Sequence, residues 1–286
     1  MAREMFPLTI IDESSLEPDA FKPNGRCVSQ WTGPGGSVRA LYTGEVWNWI
    51  VFEGVATFRF RRGGRTVEAL LAKGIDRRAA TDFYHQHILP LVLQDSGLEV
   101  LHASAVLHDG RVLGFCGEKG SGKSTIAYAL GRQGCRQYAD DALVIDASAG
   151  RVEAVALPFS PRMRRPSAQF FGQDTDEDWH ARRHSGRHPI GALFVLDEPR
   201  HTYSEPEIER LSDLPALQGV LSHARQFDAT APSSHRRHLQ NFLDIALALP
   251  VFSVRYSRGF DRLDRLMSAL LRAADGAKPS VLSQAS

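Results

Sequence analysis

Apolar and polar positions follow two different patterns along the chain, and the pattern changes near residue 97. Before that point, short apolar runs at 46–51 and 56–61 are bounded by glycines, which is typical of β-strands. A helix is predicted over 77–93, because apolar residues recur there on roughly one face. The pattern therefore predicts a strand-containing accessory domain over residues 1–97.

Beyond this point, strand-like and helix-like segments alternate. Apolar runs predict strands, and a segment that ends before a glycine predicts a helix over 123–132. The predicted strands of this part include 98–107, 112–116 and 138–146. Because such a mixture is typical of α/β proteins, we predict an α/β domain with α+β elements over 98–275. A loose tail is predicted over 276–286.

Composition and charge narrow the class of protein. The chain has 286 residues, of which 43% are hydrophobic and 23% are charged, so fibrous and wholly disordered chains are excluded. A net charge of +1 argues against a nucleic-acid binder, and no segment approaches the roughly 20 apolar residues of a membrane span. Three scattered cysteines and no signal-like N-terminus indicate a cytoplasmic protein without nucleic-acid or membrane partners.

A glycine-rich motif stands between a predicted strand and the predicted helix 123–132. The stretch GEKGSGKS matches G-x-x-x-x-G-K-[ST], the phosphate-binding loop or P-loop. Its glycines let backbone N–H groups point at phosphate oxygens, Lys123 reaches the β- and γ-phosphates, and the Ser124 hydroxyl sits on Mg²⁺. The predicted nucleotide-binding residues are Gly117, Glu118, Lys119, Gly120, Ser121, Gly122, Lys123, Ser124 and Thr125.

Two adjacent carboxylates follow the P-loop helix. Asp140 lies 17 residues after Lys123, and Asp141 is its neighbour in a predicted strand. Since neighbours on a strand point to opposite faces, one carboxylate can face Mg²⁺ and phosphate while the other activates an acceptor hydroxyl. Without the P-loop, a solvated turn would be the simpler interpretation of this pair. His102 lies in the strand before the P-loop strand, where a histidine is more often structural than catalytic.

The order of these motifs resembles the kinase domain of HPr kinase/phosphorylase and of HPr-kinase-like proteins such as lasso peptide kinases. The resemblance implies an atypical P-loop kinase fold that transfers a phosphoryl group from ATP to a serine hydroxyl of a small protein or peptide. It also implies that Lys123 and Ser124 are nucleotide and Mg²⁺ residues and that His102 is the active-site histidine. By the same resemblance, Asp140 is assigned as the base and Asp141 as a metal or positioning group.

The resemblance has limits that bear on the substrate. The second signature of HPr kinase has no counterpart in the stretch 157–165, and residues 1–97 do not match its N-terminal domain. We therefore expect an acceptor other than HPr, namely a serine or other hydroxyl of a peptide, small protein or small molecule. The sequence leaves a homo-oligomer open.

A second interpretation makes the chain a nucleotide-dependent ATPase or switch that regulates a partner without phosphoryl transfer. The stretch LFVLDEP over 193–199 looks like the Walker B strand of an ABC ATPase, in which Asp197 and Glu198 would be the important residues. No LSGGQ-like signature precedes this stretch, so a core strand that ends in a polar turn is the preferred interpretation. Between the two functions, the sequence favours the kinase.

Overall fold

The computed structural model describes residues 6–12, 21–32, 38–157, 167, 170–171, 186–198, 203–225 and 232–277. The chain divides into two compact units, one of residues 1–98 and 226–237 and the other of residues 99–225 and 238–286. The domain boundaries proposed from the sequence remain a prediction. The predicted tail, apart from its first two residues, lies outside the described part of the chain.

The first unit contains a six-stranded sheet. Its strands are β1 (Leu8–Ile10), β2 (Arg26–Thr32), β3 (Val38–Thr43), β4 (Trp47–Phe52), β5 (Ala56–Arg61) and β6 (Val67–Leu71). The order is β1-β6-β5-β4-β3-β2, with β1 parallel to β6 and the other neighbours antiparallel. The glycine-bounded runs predicted as strands are β4 and β5, with ends shifted by at most one residue.

The helix predicted over 77–93 contains a π-helical turn. It consists of α1 (Arg77–Phe83), a π-helical turn (Tyr84–Ile88) and α2 (Leu89–Asp95). Pro90 has no N–H to donate to the carbonyl four residues earlier, and this accounts for a wider turn before α2. The predicted helix is thus present, two residues longer than expected, and a period of apolar positions does not reveal its π-helical turn.

The second unit is built on a larger mixed sheet. Its strands are β7 (Glu99–Leu101), β8 (Ala103–His108), β9 (Arg111–Gly117), β10 (Arg136–Ala139), β11 (Leu143–Asp146), β12 (Glu153–Val155), β13 (Arg187–Leu196), β14 (Glu207–Arg210) and β15 (Val251–Arg255). The order is β10-β8-β9-β13-β12-β11-β7, and β15 pairs with both β13 and β14. Strands β9, β13 and β15 are parallel, so their carboxyl ends share one edge. The α/β class predicted from the sequence is confirmed.

Two predicted strands are each broken at one point, and both breaks lie side by side. The run 98–107 divides into β7 and β8 at His102, and the run 138–146 divides into β10 and β11 after Ala139. Ala105 pairs with Ala139 and Leu101 pairs with Leu143, so the two runs form one antiparallel ribbon that opens in the middle. The prediction of continuous strands was wrong at this opening, which we call the ribbon gap (102–104 and 140–142).

Helices cover both faces of this sheet. They are α3 (Lys123–Arg132), α4 (Asp213–Leu221), α5 (Pro232–Ala248) and α6 (Leu263–Gly276). One buried apolar cluster contains residues of α3 and α6, and another contains residues of α4 and α5. None of the helices in the described ranges combines the length and the hydrophobicity that crossing a lipid bilayer requires.

Candidate active site around the glycine-rich loop

The glycine-rich loop joins the carboxyl end of β9 to the first residue of α3. Gly117, Gly120 and Gly122 have φ angles of 148°, 101° and 92°, a region that side chains strongly disfavour. A Cβ on Gly117 would lie 2.7 Å from the carbonyl oxygen of Leu196, and one on Gly122 would lie 2.7 Å from the hydroxyl of Tyr256. Both the backbone path and the crowding therefore require glycine at these positions.

Lys123 folds back onto the loop that precedes it. Its Nζ donates to the carbonyl oxygens of Gly117 at 2.7 Å and Glu118 at 3.1 Å. Burial lowers the pKa of Lys123 from its ordinary value, while nearby acidic groups, including Asp141, oppose that shift. The ammonium group is thus held over the loop by two backbone carbonyl oxygens.

Asp140 accepts hydrogen bonds from two hydroxyl groups. Oγ of Ser104 and Oγ of Ser124 each donate to Oδ1 of Asp140 at 2.8 Å, and the two hydroxyls are 3.4 Å apart. We call these three residues the hydroxyl cluster. Ser104 lies in β8, Ser124 at the start of α3 and Asp140 between β10 and β11, so a single carboxylate oxygen connects three segments of the chain.

Asp141 has a different set of partners. Its Oδ1 lies 3.1 Å from Nδ1 of His102, and its Oδ2 accepts from Nη2 of Arg225 at 2.8 Å. The same Nη2 also donates to the carbonyl oxygen of Asp141 at 3.0 Å. We call Asp141, His102 and Arg225 the arginine cluster.

The charge of Asp141 follows from these contacts. Burial alone would raise the pKa of this carboxyl group. The hydrogen bond from His102 and the charge and hydrogen bond of Arg225 together outweigh burial, so the pKa of Asp141 lies well below its ordinary value. The residue also has a φ of 69°, a left-handed conformation that is uncommon outside glycine and that turns its side chain away from the path of a strand.

Arg225 is the site residue that sequence reasoning missed. The backbone N–H of Arg225 donates to the carbonyl of Val100 at 2.8 Å, and that of His102 donates to the carbonyl of His223 at 2.8 Å. These bonds fix the segment after α4 beside β7 and bring Arg225 to a carboxylate 84 residues away in sequence. No motif or spacing in the sequence marks this arginine.

Both clusters border one cavity of about 570 Å³. Its lining includes the polar side chains of His102, Ser104, Lys123, Ser124 and Asp141. It also includes the apolar or aromatic side chains of Ile126, Tyr256, Phe260 and Leu263. Of the predicted nucleotide-binding residues, those that line it are Lys119, Gly120, Gly122, Lys123, Ser124 and Thr125. Gly117, Glu118 and Ser121 form the loop but are not part of the lining, and Asp140 lies behind the hydroxyls that it binds.

The oxygen atoms of the hydroxyl cluster fit a magnesium ion. Carboxylate and hydroxyl oxygens are the ligands that Mg²⁺ prefers, and it is commonly held by one or two protein groups together with substrate phosphates. Within the described residues no group of three or more His, Cys, Asp or Glu side chains forms a ready metal cage. Ser124 and Asp140 are therefore suited to a metal that arrives with a phosphate ligand.

Asp197 and Glu198 lie apart from this arrangement. Leu196, the last residue of β13, pairs with Gly117, so Asp197 follows at the same sheet edge as the loop. Both acidic residues are exposed, and neither lines the cavity. The backbone N–H of Asp197 donates to the carbonyl of Val254, which fixes the end of β13 against β15.

The second unit is thus an α/β fold with a P-loop sequence at a sheet edge. No protein-family profile matches this chain, and no curated protein matches it. Among solved structures, the chain is similar to the Hpr(Ser) kinase/phosphatase from Coxiella burnetii, with 14% sequence identity and a TM-score of 0.34. The similarity covers 62% of this chain and 90% of that chain. It is a distant structural likeness.

Proposed function

We propose that the chain is an ATP- and Mg²⁺-dependent kinase that transfers the γ-phosphoryl group to a hydroxyl. One observation carries the proposal. The glycine-rich loop with Lys123, the hydroxyl cluster and the arginine cluster each contribute residues to the lining of a single cavity. This combination supplies a phosphate cradle, metal-binding oxygens and a carboxylate for the acceptor, which are the parts that phosphoryl transfer needs.

The phosphates of ATP would lie in the loop at the N-terminus of α3. There the backbone N–H groups and the positive end of the helix dipole attract anions, and Lys123 adds a full positive charge. Ser124 and Asp140 would hold Mg²⁺, which supplies charge neutralisation on the β- and γ-phosphates. The catalytic contribution of the chain at this end is positioning and electrostatic stabilisation.

The acceptor hydroxyl would be held by Asp141. The oxygen of the acceptor hydroxyl would form a bond to the γ-phosphorus. At the same time the bond from that phosphorus to the β–γ bridging oxygen would break, and ADP would leave with the electron pair. Asp141 orients the hydroxyl by accepting its hydrogen bond, and the proton passes to this carboxylate late in the transfer, when the new bond to phosphorus has made the hydroxyl acidic. A carboxylate offers about four lone-pair positions, so the contacts with His102 and Arg225 leave room for the hydroxyl.

This division of labour differs from the one proposed from the sequence. There, Asp140 was the base and Asp141 shared the metal with Ser124. The hydrogen bond from Ser124 reaches Asp140, and Asp141 lines the cavity beside His102. These contacts favour Asp140 on the metal side and Asp141 on the acceptor side.

The acceptor class proposed from the sequence is kept. It is a serine or other hydroxyl of a peptide, a small protein or a small molecule, in line with the resemblance to HPr-kinase-like peptide kinases. The test is incubation of the full chain with γ-labelled ATP, Mg²⁺ and candidate acceptors, compared with Lys123→Ala.

A mass gain of about 80 Da, one phosphoryl group, on one acceptor with wild type and not with Lys123→Ala is expected. Label released only as free phosphate, at a rate that Lys123→Ala abolishes, would contradict the kinase and support an ATPase or switch.

One observation supports the alternative function as an ATPase or switch. Asp197 directly follows β13, which pairs with β9, the strand that leads into the glycine-rich loop. Paired alanine variants separate the two functions. Loss of ATP turnover in Asp140→Ala and Asp141→Ala, with turnover retained in Asp197→Ala and Glu198→Ala, is the result that the kinase predicts. The reverse pattern is the result that the switch predicts.

A further inference from the structure

The cavity extends past the groups that the proposed phosphoryl transfer uses. The rest of its lining includes the apolar or aromatic side chains of Ile126, Tyr256, Phe260 and Leu263, together with Arg258. Ile126 lies on α3, three residues after Lys123, and Tyr256 lies against Gly122, so this apolar lining adjoins the phosphate-binding loop. A ligand with an anionic group and an apolar group would match the two kinds of lining.

Within this lining, Phe260 is held in place by two further aromatic rings. Phe170 stacks on it with ring centroids 4.1 Å apart and planes 8° from parallel, and Phe171 meets it edge-on at 6.2 Å. Phe171 in turn packs against Tyr128 of α3, and its carbonyl accepts from Arg132 at 2.7 Å. Phe260 lines the cavity, while Phe170 does not, so the stack fixes the ring from its other side.

A rigid aromatic ring next to a cation suits a planar heteroaromatic ligand. Nucleobases stack on aromatic side chains, and an arginine beside the stack adds a cation–π contribution. Tyr256 also contributes a fixed wall, because its hydroxyl donates to the carbonyl of Ser121 in the loop itself. The base end and the phosphate end are thus built on the same loop and helix.

We propose that the base of the donor nucleotide stacks on Phe260 and is flanked by Arg258. This rests on the proposed function, because it takes the phosphates of the same nucleotide to lie in the glycine-rich loop. The site then recognises a nucleoside triphosphate at both ends. Inorganic tripolyphosphate, which lacks the base, is the probe that separates the two ends.

The experiment is calorimetric titration of the full chain with Mg²⁺ and either ATP or tripolyphosphate. Phe260→Ala is expected to weaken ATP binding about tenfold, the effect of losing one base–aromatic stack. Its affinity for tripolyphosphate is expected to stay unchanged. Phe260→Trp restores a stacking ring and is expected to keep the ATP affinity near that of wild type. Leu214→Ala, which truncates an exposed apolar side chain on α4 outside the cavity lining, is the control.

Phe260→Trp gives a second readout. Stacking of a base on the new indole is expected to quench an emission component that wild type lacks, with ATP and not with tripolyphosphate. Two outcomes would overturn this inference and leave the proposed function standing. In one, Phe260→Ala binds ATP as tightly as wild type; in the other, its affinities for ATP and for tripolyphosphate fall by the same factor. If wild type binds neither ligand, or if Lys123→Ala binds ATP as tightly as wild type, the proposed function falls together with the inference.

Discussion

Asp140 and Asp141 are neighbours in the chain, yet their carboxylates lie in two different environments. The hydroxyl cluster gives Asp140 two neutral donors on one oxygen. The arginine cluster gives Asp141 a guanidinium on one oxygen and an imidazole on the other. Neutral donors leave a carboxylate able to bind a cation, whereas a bound guanidinium already neutralises much of its charge. The comparison indicates that the two carboxylates have different tasks.

The ribbon gap produces this difference. In a regular strand the two side chains would point to opposite faces, with one of them directed into the core. The left-handed φ of Asp141 and the break between β10 and β11 release both carboxylates from that alternation. On the facing segment, Ser104 meets Asp140, as the register of the flanking pairs requires. His102 contacts Asp141, although the same register would place His102 opposite Ala142.

The largest expected effect is the loss of either carboxylate. Asp140→Asn and Asp141→Asn are each expected to lower the rate of phosphoryl transfer by about 10²- to 10⁴-fold. Under the proposed roles, excess Mg²⁺ partly restores the transfer rate of Asp140→Asn, because a higher metal concentration compensates for weaker metal binding. It does not restore the transfer rate of Asp141→Asn. Initial rates measured across a Mg²⁺ titration check this. Equal restoration of both variants would remove the distinction between the two clusters.

Substitution of Arg225 is expected to have a smaller effect on the transfer rate, because it acts by changing the pKa of Asp141. The hydrogen bond from His102, together with the charge and hydrogen bond of Arg225, holds this pKa below its ordinary value. The ionised form therefore persists as pH falls and is lost only below the usual carboxylate range. Arg225→Ala is expected to move the acidic limb of the pH–rate profile to higher pH by about one unit. Arg225→Lys keeps the charge without the planar fork and is expected to give an intermediate profile.

The control for Arg225 is Arg265→Ala, which removes an exposed arginine paired with Glu205 on the surface. Such pairs contribute little, so its pH–rate profile is expected to match wild type. An Arg225→Ala profile that falls in height without shifting along the pH axis would show that Arg225 does not act through the ionisation of Asp141.

The smallest effect is expected at Ser104. This residue is buried and gives Asp140 one of its two hydroxyl donors. Ser104→Ala is expected to lower the free energy of unfolding by about 1 kcal/mol, as for one hydrogen bond, and to lower transfer severalfold at most. Ser124→Ala removes a proposed metal ligand and is expected to lower transfer much more at the same Mg²⁺ concentration. Denaturant unfolding and initial rates would be measured for both variants. A larger loss of rate in Ser104→Ala than in Ser124→Ala would contradict the proposal that Ser124 and Asp140 hold the metal.

Local sequence patterns were sufficient to predict part of this structure. The glycine-rich motif identified the loop and the start of α3. Each of these features is determined by residues close together in sequence. The strands that flank the site were also placed correctly along the chain, apart from their interruptions.

The remaining features depend on contacts between distant segments. The apolar pattern resumes on both sides of His102 and of Asp140–Asp141. Polar residues inside an apolar run do not by themselves distinguish a break from a position within a strand. Arg225 reaches Asp141 only because the segment after α4 pairs with β7. The base site proposed at Phe260 combines α3, the residues after β15 and the pair Phe170–Phe171, which single-sequence patterns cannot bring together.

The most direct test of the difference between the two carboxylates is the affinity of Mn²⁺, a spectroscopic substitute for Mg²⁺, in the presence of ATP. Electron paramagnetic resonance of free Mn²⁺ would be followed in wild type, Asp140→Asn and Asp141→Asn. We predict that Asp140→Asn weakens Mn²⁺ binding by about tenfold or more, whereas Asp141→Asn binds it like wild type. Weakened binding in Asp141→Asn with normal binding in Asp140→Asn would contradict the account and restore the division of roles that the sequence first suggested.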